Sequence, residues 1–330
     1  MAIPMAAERS NHSMGARDWL RGGKEGEVRL ADGRRLVFIV HGDEFGYPVV
    51  LEHGTPASRL GLGFADARAR ARGVRVICPD RPGIGRSDPA PRRSLLGWAD
   101  DVTALADALE IHRFGVIGYS CGGLHALACA ARLPARVSAV ALMAGAGPLD
   151  RPEAFEGLDP MDRWLAETSA RRPLLAALAL RVQAAVIRRA PGLALRALLR
   201  EVGDADRRRL AALGPDVMMI FTEALRQGPD GVVDDYRRWI TPWPFAFEDI
   251  EAPVDVWQGD DDRAIPMHHA ERLAARLPRA TLHQLPGEGH FSVAEHFDSI
   301  LDRLLVRIGP QWHAPPASFA VIGLSAAPHD

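Results

Sequence analysis

Cysteine is scarce in this sequence: Cys78, Cys121 and Cys129 are the three cysteines among 330 residues, and their spacing fits no metal site. A sparse, odd set of cysteines argues against a disulfide-stabilised secreted domain, so a reducing, cytoplasmic setting is expected. Long apolar runs are also lacking. The most apolar stretch, residues 174–187, is interrupted by Arg181 and is too short to span a bilayer. We therefore predict a soluble protein with no membrane span.

An excess of charge of either sign is absent as well. The 40 basic residues are balanced by 42 acidic ones, which gives a net charge of -2 at pH 7 and no reason to expect nucleic acid or an acidic surface as a partner. The glycine-containing stretch 81–87 lacks the lysine of a phosphate-binding loop, and the pair His268–His269 has no further ligands at useful spacing. We expect a small-molecule substrate, no metal and no cofactor; the oligomeric state stays open.

Apolar residues are plentiful, at 47% of the chain, and their pattern changes along it. Between residues 49 and 143 short apolar runs alternate with helical patterns, and this alternation resumes at 254. Such alternation is typical of a parallel sheet with helices on both faces. Residues 151–240 contain helical patterns rich in Ala, Leu and Arg and no convincing strand. The sequence thus predicts one α/β domain interrupted by a helical insert.

The predicted organisation has four parts: a loose leader (1–26), an α/β core (27–150 and 245–308), a helical insert (151–244) and a tail (309–330). Near the start of the core, Asp32-Gly33 predicts a hairpin turn between two strands. A helix is expected over Arg59–Arg72. The tail contains the apolar stretch FAVIGL (319–324), which is compatible with disorder or with packing on the body of the protein.

One short segment carries the strongest chemical signal. In FGVIGYSCGG, residues 114–123, an apolar run ends at Ser120, which has glycines two positions before and two positions after it. A glycine-rich turn between a strand and a helix would explain this pattern without any activity. The same G-x-S-x-G pattern is also typical of a nucleophilic serine on a sharp strand-to-helix turn, because side chains at the glycine positions would collide with neighbouring elements.

A serine hydroxyl needs a base near neutral pH, and the base needs an acid to orient it. The acidic triplet 260–262 follows one predicted strand of the second half of the core, and His290 follows the next. Since the carboxyl ends of parallel strands meet at one edge of a sheet, these residues should lie near Ser120. Asp150, after an earlier strand, is an alternative acid.

Several stretches together resemble the α/β-hydrolase-fold serine hydrolases, in their capped-esterase, proline-iminopeptidase-like and haloperoxidase-like branch. The matching segments are HGTPASR (53–59), DRPGIGRSD (80–88), GYSCGG (118–123), GDDDRAIP (259–266) and GEGH (287–290). The similarity extends over roughly residues 28–150 and 245–308. It implies an α/β-hydrolase fold: a mostly parallel eight-stranded sheet flanked by helices, with the helical insert as a cap.

The resemblance also assigns roles to individual residues. In this family the acid stands three residues after the glycine of the GxxD segment, which selects Asp262 and leaves Asp260 and Asp261 as loop or capping carboxylates. The backbone N–H groups of Thr55 and Cys121 are expected to form the oxyanion hole.

Two positions depart from related enzymes. A serine at position 120, where dehalogenases and epoxide hydrolases have an aspartate, argues against both of those activities. A cysteine at position 121, where several peptidase-like relatives have tryptophan, weakens an aminopeptidase assignment.

The implied reaction is hydrolysis of a carboxylic ester, or less readily an amide, through an acyl-enzyme on Ser120 with His290 as the base. Aromatic residues concentrate where the insert returns to the core, and we expect Trp243 and Tyr119 to contact a small-to-medium, largely apolar substrate. Two alternatives stay open. One is hydrolysis of a carbon–carbon bond in a diketone-like substrate; the other is a hydrolase-fold ligand receptor with slow turnover.

Overall fold

The computed structural model of the chain describes residues 22–91, 93–309 and 325–326. Most of the predicted leader and the FAVIGL stretch of the tail lie outside the described residues. Among the helices that the model describes, none is long and apolar enough to cross a membrane.

A single mixed sheet forms the centre of the molecule. Its strands are β1 (Lys24–Arg29), β2 (Arg35–Gly42), β3 (Tyr47–Glu52), β4 (Val74–Pro79), β5 (Phe114–Tyr119), β6 (Val137–Met143), β7 (Val254–Gly259), β8 (Ala280–Leu285) and β9 (Ser325–Ala326). They lie side by side in the order β8-β7-β6-β5-β3-β4-β2-β1-β9. Pairing is parallel from β8 to β4 and antiparallel from there to β9. The predicted eight-stranded, mostly parallel sheet is confirmed, and the two-residue β9 adds to its edge.

The helices fall into two groups. Those of the core are α1 (Ala65–Arg70), α2 (Leu95–Ala108), α3 (Gly122–Arg132), α10 (Met267–Arg276) and α11 (Val293–Ile308). Between β6 and β7 lie α4 (Pro160–Arg171), α5 (Pro173–Arg189), α6 (Pro191–Glu201), α7 (Asp204–Leu213), α8 (Met219–Ala224) and α9 (Asp230–Ile240). We call the predicted segment 151–244 the insert; its described elements are all helical.

Both faces of the sheet are covered by helices. Successive side chains of each strand point to opposite faces, so apolar residues of the strands pack on both sides. Val49 and Leu51 of β3 pack on one face with Phe64 and residues of α11, whereas Val50 packs on the other face with Trp98 of α2. The parallel strands therefore end at one edge of a sheet that is buried on both sides, which leaves that edge as the place for a site.

Two expectations about element boundaries were wrong. Strand β1 begins at Lys24, inside the predicted leader, because its residues are held by backbone pairing with β2, which needs no apolar side chains. The helix predicted over Arg59–Arg72 is confined to α1. The backbone N–H of Arg59 instead donates to the Asp80 carboxylate at 2.7 Å, and Gly61 and Gly63 weaken a helix at this point.

The turn between β5 and α3 brings the start of the helix very close to the end of β3. A Cβ atom placed on Gly122 would lie 2.0 Å from the carbonyl oxygen of Glu52, and one on Gly118 would lie 2.8 Å from the Cβ of Ala126. Real Cβ atoms do not approach other heavy atoms so closely, and the atom that Gly122 faces is backbone. Only glycine at position 122 lets the turn close in this way.

We expect Gly122→Ala to lower the free energy of unfolding by about 3 kcal/mol, because the β3 backbone must shift to admit the methyl group. Chemical denaturation of the purified variant measures this loss. The matched control is Gly192→Ala in the first turn of α6, where an added Cβ meets nothing within 4 Å. The control should be as stable as the wild type or slightly more so, and equal losses in the two variants would contradict the close packing at Gly122.

Candidate active site

Ser120 occupies the sharp turn at the carboxyl end of β5. Its φ angle is +55°, in the left-handed region that a non-glycine residue rarely adopts. Three backbone hydrogen bonds hold it there: its N–H donates to Met143 at 3.0 Å, and its carbonyl oxygen accepts from Gly123 at 2.9 Å and Ala146 at 3.1 Å. The serine hydroxyl is thereby presented at the start of α3, where the helix dipole favours negative charge.

His290 and Asp262 form a buried hydrogen-bonded pair across the same edge of the sheet. The imidazole Nδ1 donates to Asp262 Oδ2 at 2.9 Å. The backbone N–H groups of Ala264 and Ile265 donate to Asp262 Oδ1 at 2.9 Å each, and Gln258 Nε2 donates to Oδ2. A carboxylate with all of these donors is fixed in place, so it fixes the imidazole with Nε2 directed away from it.

The pKa of His290 reflects two opposing effects. Burial lowers it, but the negative charges of Asp262, Asp206 and Asp162 outweigh burial and raise the pKa above the ordinary histidine value. The imidazolium that forms when a histidine accepts a proton is therefore stabilised at this site.

Tyr119 joins the serine turn to the histidine loop. Its hydroxyl donates to the His290 carbonyl oxygen at 3.1 Å, and the two rings lie with their centroids 5.3 Å apart. His290 thus lies against the residue that immediately precedes Ser120. Among the described residues there is no hydrogen bond between the Ser120 hydroxyl and the His290 ring. Such bonds are often long before a substrate binds.

The loop after β3 is oriented by the buried Arg81. The guanidinium donates to the carbonyl oxygens of His53 at 2.6 Å and Gly54 at 3.0 Å. In a trans peptide the N–H points opposite to the C=O, so the Thr55 N–H is directed away from Arg81. A Cβ on Gly54 would lie 3.2 Å from the Cβ of Ser120, which places this peptide beside the serine.

Cys121 has a backbone N–H at the start of α3 and a buried thiol. It is the first residue after Ser120 and caps α3, where helix geometry leaves the N–H without a partner in the helix. Its side chain is buried with Leu165, Ala166 and Tyr236 of the insert. Burial raises the pKa of the thiol well above its ordinary value, so the sulfur stays protonated and is a poor nucleophile.

The insert supplies a carboxylate that the sequence did not point to. Asp206 Oδ2 accepts from the backbone N–H of His290 at 2.6 Å, and Oδ1 accepts from that of Phe291 at 2.9 Å. In the sequence Asp206 is one of two aspartates in the first turn of α7, a position that any helix dipole favours. No local signal distinguishes it; only the packing of α7 on the histidine loop does.

The remaining candidates have other partners. Asp150 pairs with Arg272 at 2.7 Å, Asp260 accepts from the Gly287 N–H, and Asp261 accepts from the Asp204 N–H. The expected capping role of Asp260 and Asp261 agrees with these contacts.

The ring of His269 lies between the Gly147 N–H at 3.1 Å and the Ala154 carbonyl oxygen at 2.9 Å. No group of three or more His, Cys, Asp or Glu side chains suited to a metal ion occurs in the described ranges.

Trp243 belongs to an aromatic cluster at the return of the insert. Its ring centroid lies 5.7 Å from that of Phe245 and 5.8 Å from that of Phe247, and the indole is half-buried. Both partners belong to the core, and the indole also packs against a cluster that contains residues of the insert. A role for Trp243 in substrate binding stays a prediction.

Comparison with known proteins identifies the family. A family model described as the alpha/beta hydrolase fold matches residues 47–297. A 2-hydroxy-6-oxo-6-phenylhexa-2,4-dienoate hydrolase of Burkholderia cepacia is 30% identical over 69% of this chain and 75% of its own. A 2-hydroxymuconate semialdehyde hydrolase of Pseudomonas putida is 30% identical over 82% of this chain and 89% of its own. The solved structure of an esterase from Rhodococcus sp. ECU1013 superposes with a TM-score of 0.66 at 22% identity, covering 86% of this chain and 99% of the esterase. The chain therefore belongs to the α/β-hydrolase family.

Proposed function

We propose that the protein hydrolyses small-to-medium, largely apolar carboxylic esters with a Ser120–His290–Asp262 triad. The observation that carries this proposal is the buried hydrogen bond from His290 to Asp262, at 2.9 Å, beside the strained turn that presents Ser120. An acid, a base and a nucleophile in the chain order Ser, Asp, His are what acyl transfer on this fold needs.

In the proposed mechanism the Ser120 oxygen attacks the ester carbonyl carbon while His290 Nε2 accepts the hydroxyl proton. The carbonyl oxygen becomes an oxyanion that accepts hydrogen bonds from the Thr55 and Cys121 N–H groups. When the carbon–oxygen bond breaks, His290 returns the proton to the departing alkoxide. Water then repeats the sequence on the acyl-enzyme, with His290 as base, and releases the acid and free Ser120. Asp262 holds the imidazole in the required tautomer throughout.

The insert is proposed to act as a cap that shapes the acyl pocket. Residues of α4 and α9 pack with Cys121 next to the serine, and α7 contacts the histidine loop through Asp206. Tyr119 and Trp243 remain the proposed aromatic contacts of the substrate. Their ring surfaces favour apolar groups.

Hydrolysis of a carbon–carbon bond is a second candidate, because two of the relatives named above are a dienoate hydrolase and a semialdehyde hydrolase. The same three residues would serve it. Parallel assays with p-nitrophenyl esters and with a 2-hydroxy-6-oxo-dienoate separate the two: turnover of the dienoate alone would favour this second activity.

A fluorophosphonate probe should label Ser120 covalently, because an activated serine oxygen attacks the phosphorus of the probe and displaces fluoride. Ser120→Ala should abolish both labelling and p-nitrophenyl ester hydrolysis while the protein keeps its melting temperature. Mass spectrometry of the labelled peptide identifies the site. Labelling that persists on another residue of the variant would rule out Ser120 as the nucleophile.

Asp262→Asn should reduce kcat by about 10⁴-fold, because an amide in place of the carboxylate disturbs the tautomer of His290. Asp261→Asn is the matched control. Asp261 is next to Asp262 in the chain, and its carboxylate contacts the Asp204 N–H and Arg263 in exposed positions, so the variant should change kcat little. Steady-state kinetics of both variants decide the assignment. Full activity in Asp262→Asn together with loss in Asp150→Asn would move the acid to Asp150.

Asp206→Asn should move the acidic limb of the kcat/KM profile to lower pH. The negative charge of Asp206 is among the causes that raise the pKa of His290, so removing it lowers that pKa. The base must be unprotonated to act, and it then stays unprotonated to lower pH. Asp204→Asn, on the same helix with an exposed side chain, should leave the limb in place. A lower kcat with an unmoved limb in Asp206→Asn would show that its charge does not reach His290.

A further inference from the structure

The charges of three carboxyl groups from three different elements act on His290. Asp262 bonds the ring, Asp206 of α7 bonds the backbone, and Asp162 of α4 is the third. The proposed mechanism uses Asp262, and Asp206 is occupied by backbone donors. Asp162 adds to the charge that raises the pKa of His290, but no contact with the substrate has been assigned to it.

Asp162 lies between the acid loop and the serine turn. Helix α4 begins beside the acid loop, where the Asp159 N–H donates to the Ala264 carbonyl at 3.4 Å. One turn further along the same helix face, Leu165 and Ala166 are buried in the cluster that contains Cys121. Because residues three and four apart share a helix face, the Asp162 side chain points toward the same space.

Among the described residues, the carboxyl of Asp162 has one close donor and no partner in an ion pair. The Tyr236 hydroxyl donates to its Oδ1 at 2.6 Å. Within the part of the chain that the structure describes, no Arg, Lys or His side chain forms an ion pair with Asp162, whereas Asp206 lies 3.6 Å from Arg209 and Asp235 lies 2.7 Å from Arg81. Burial raises the pKa of Asp162 to about 6, so above that pH it adds an unpaired negative charge to the site.

We propose that Asp162 is a specificity residue that makes the site reject acyl groups carrying a carboxylate and accept uncharged ones. This inference rests on the proposed ester hydrolysis and names its substrate class. A second carboxylate brought close to Asp162 is repelled by its negative charge, which no described ion pair offsets, and charge repulsion is strong where water is largely excluded. An uncharged chain of equal length meets no such repulsion.

The test compares two p-nitrophenyl esters of the same acyl length, the pentanoate and the glutarate monoester, which differ in a terminal methyl group and a terminal carboxylate. At pH 8 the wild-type protein should favour the pentanoate in kcat/KM. Asp162→Asn should raise the glutarate-to-pentanoate ratio about tenfold or more, because the amide keeps the shape and removes the charge. Asp162→Ser also removes the charge and should change the ratio in the same direction. It replaces the asparagine variant in the test if that variant folds poorly.

Glu167→Gln is the matched control. It removes one negative charge from the same helix at a site where the carboxylate pairs with Arg163, and it should leave the ratio unchanged. A ratio in Asp162→Asn or Asp162→Ser equal to that of the wild type overturns the inference while ester hydrolysis itself stands. If the wild-type protein hydrolyses neither ester and Ser120 is not labelled by a fluorophosphonate, the proposed function fails instead.

Discussion

The close approach of α3 to the end of β3 is the constraint on which the rest of the site depends. The helix can start where it does only because residue 122 has no side chain between its backbone and the Glu52 carbonyl. Two residues before Gly122, Ser120 has the left-handed backbone of the turn between β5 and α3, and the first N–H groups of the helix have no partner within it. The close approach also brings the loop after β3 beside Ser120, so the nucleophile and both proposed oxyanion donors are positioned by one packing contact.

A buried ion pair, between Arg81 and Asp235, lies beside that turn and holds the loop after β3. Arg81 is almost completely buried, yet it binds two carbonyl oxygens of the β3 loop and the carboxylate of Asp235 in the insert. Burial raises the pKa of the nearby Glu52 to about 7, and Trp98 donates to that carboxyl group. A buried arginine left without its carboxylate is strongly destabilising. The loop, the strand end and the insert are therefore held by the same guanidinium.

Local patterns placed at strand ends were sufficient to predict the sheet and the turn at Ser120. The choice of Asp262 within its acidic triplet came from the resemblance to the hydrolase family. The sequence was insufficient for Asp162 and Asp206, which lie on amphipathic helices whose orientation depends on tertiary packing. Nothing in the spacing of those helices indicates which aspartate faces the core. The error at Arg59 has a similar origin, since the carboxylate that accepts from the Arg59 N–H, Asp80, is distant in the sequence.

The contact of Asp206 with the backbone of His290 and Phe291 has a consequence for how this family diversifies. Because the helical insert lies between two core strands, β6 and β7, recombination or design could replace it with another insert to change the specificity. In this protein the insert also completes the hydrogen bonding of the histidine loop. A foreign insert of suitable shape but without a carboxylate at this point would leave two backbone donors unpaired. A replacement insert must therefore supply a hydrogen-bond acceptor at the position of the Asp206 carboxylate as well as the residues that line the pocket.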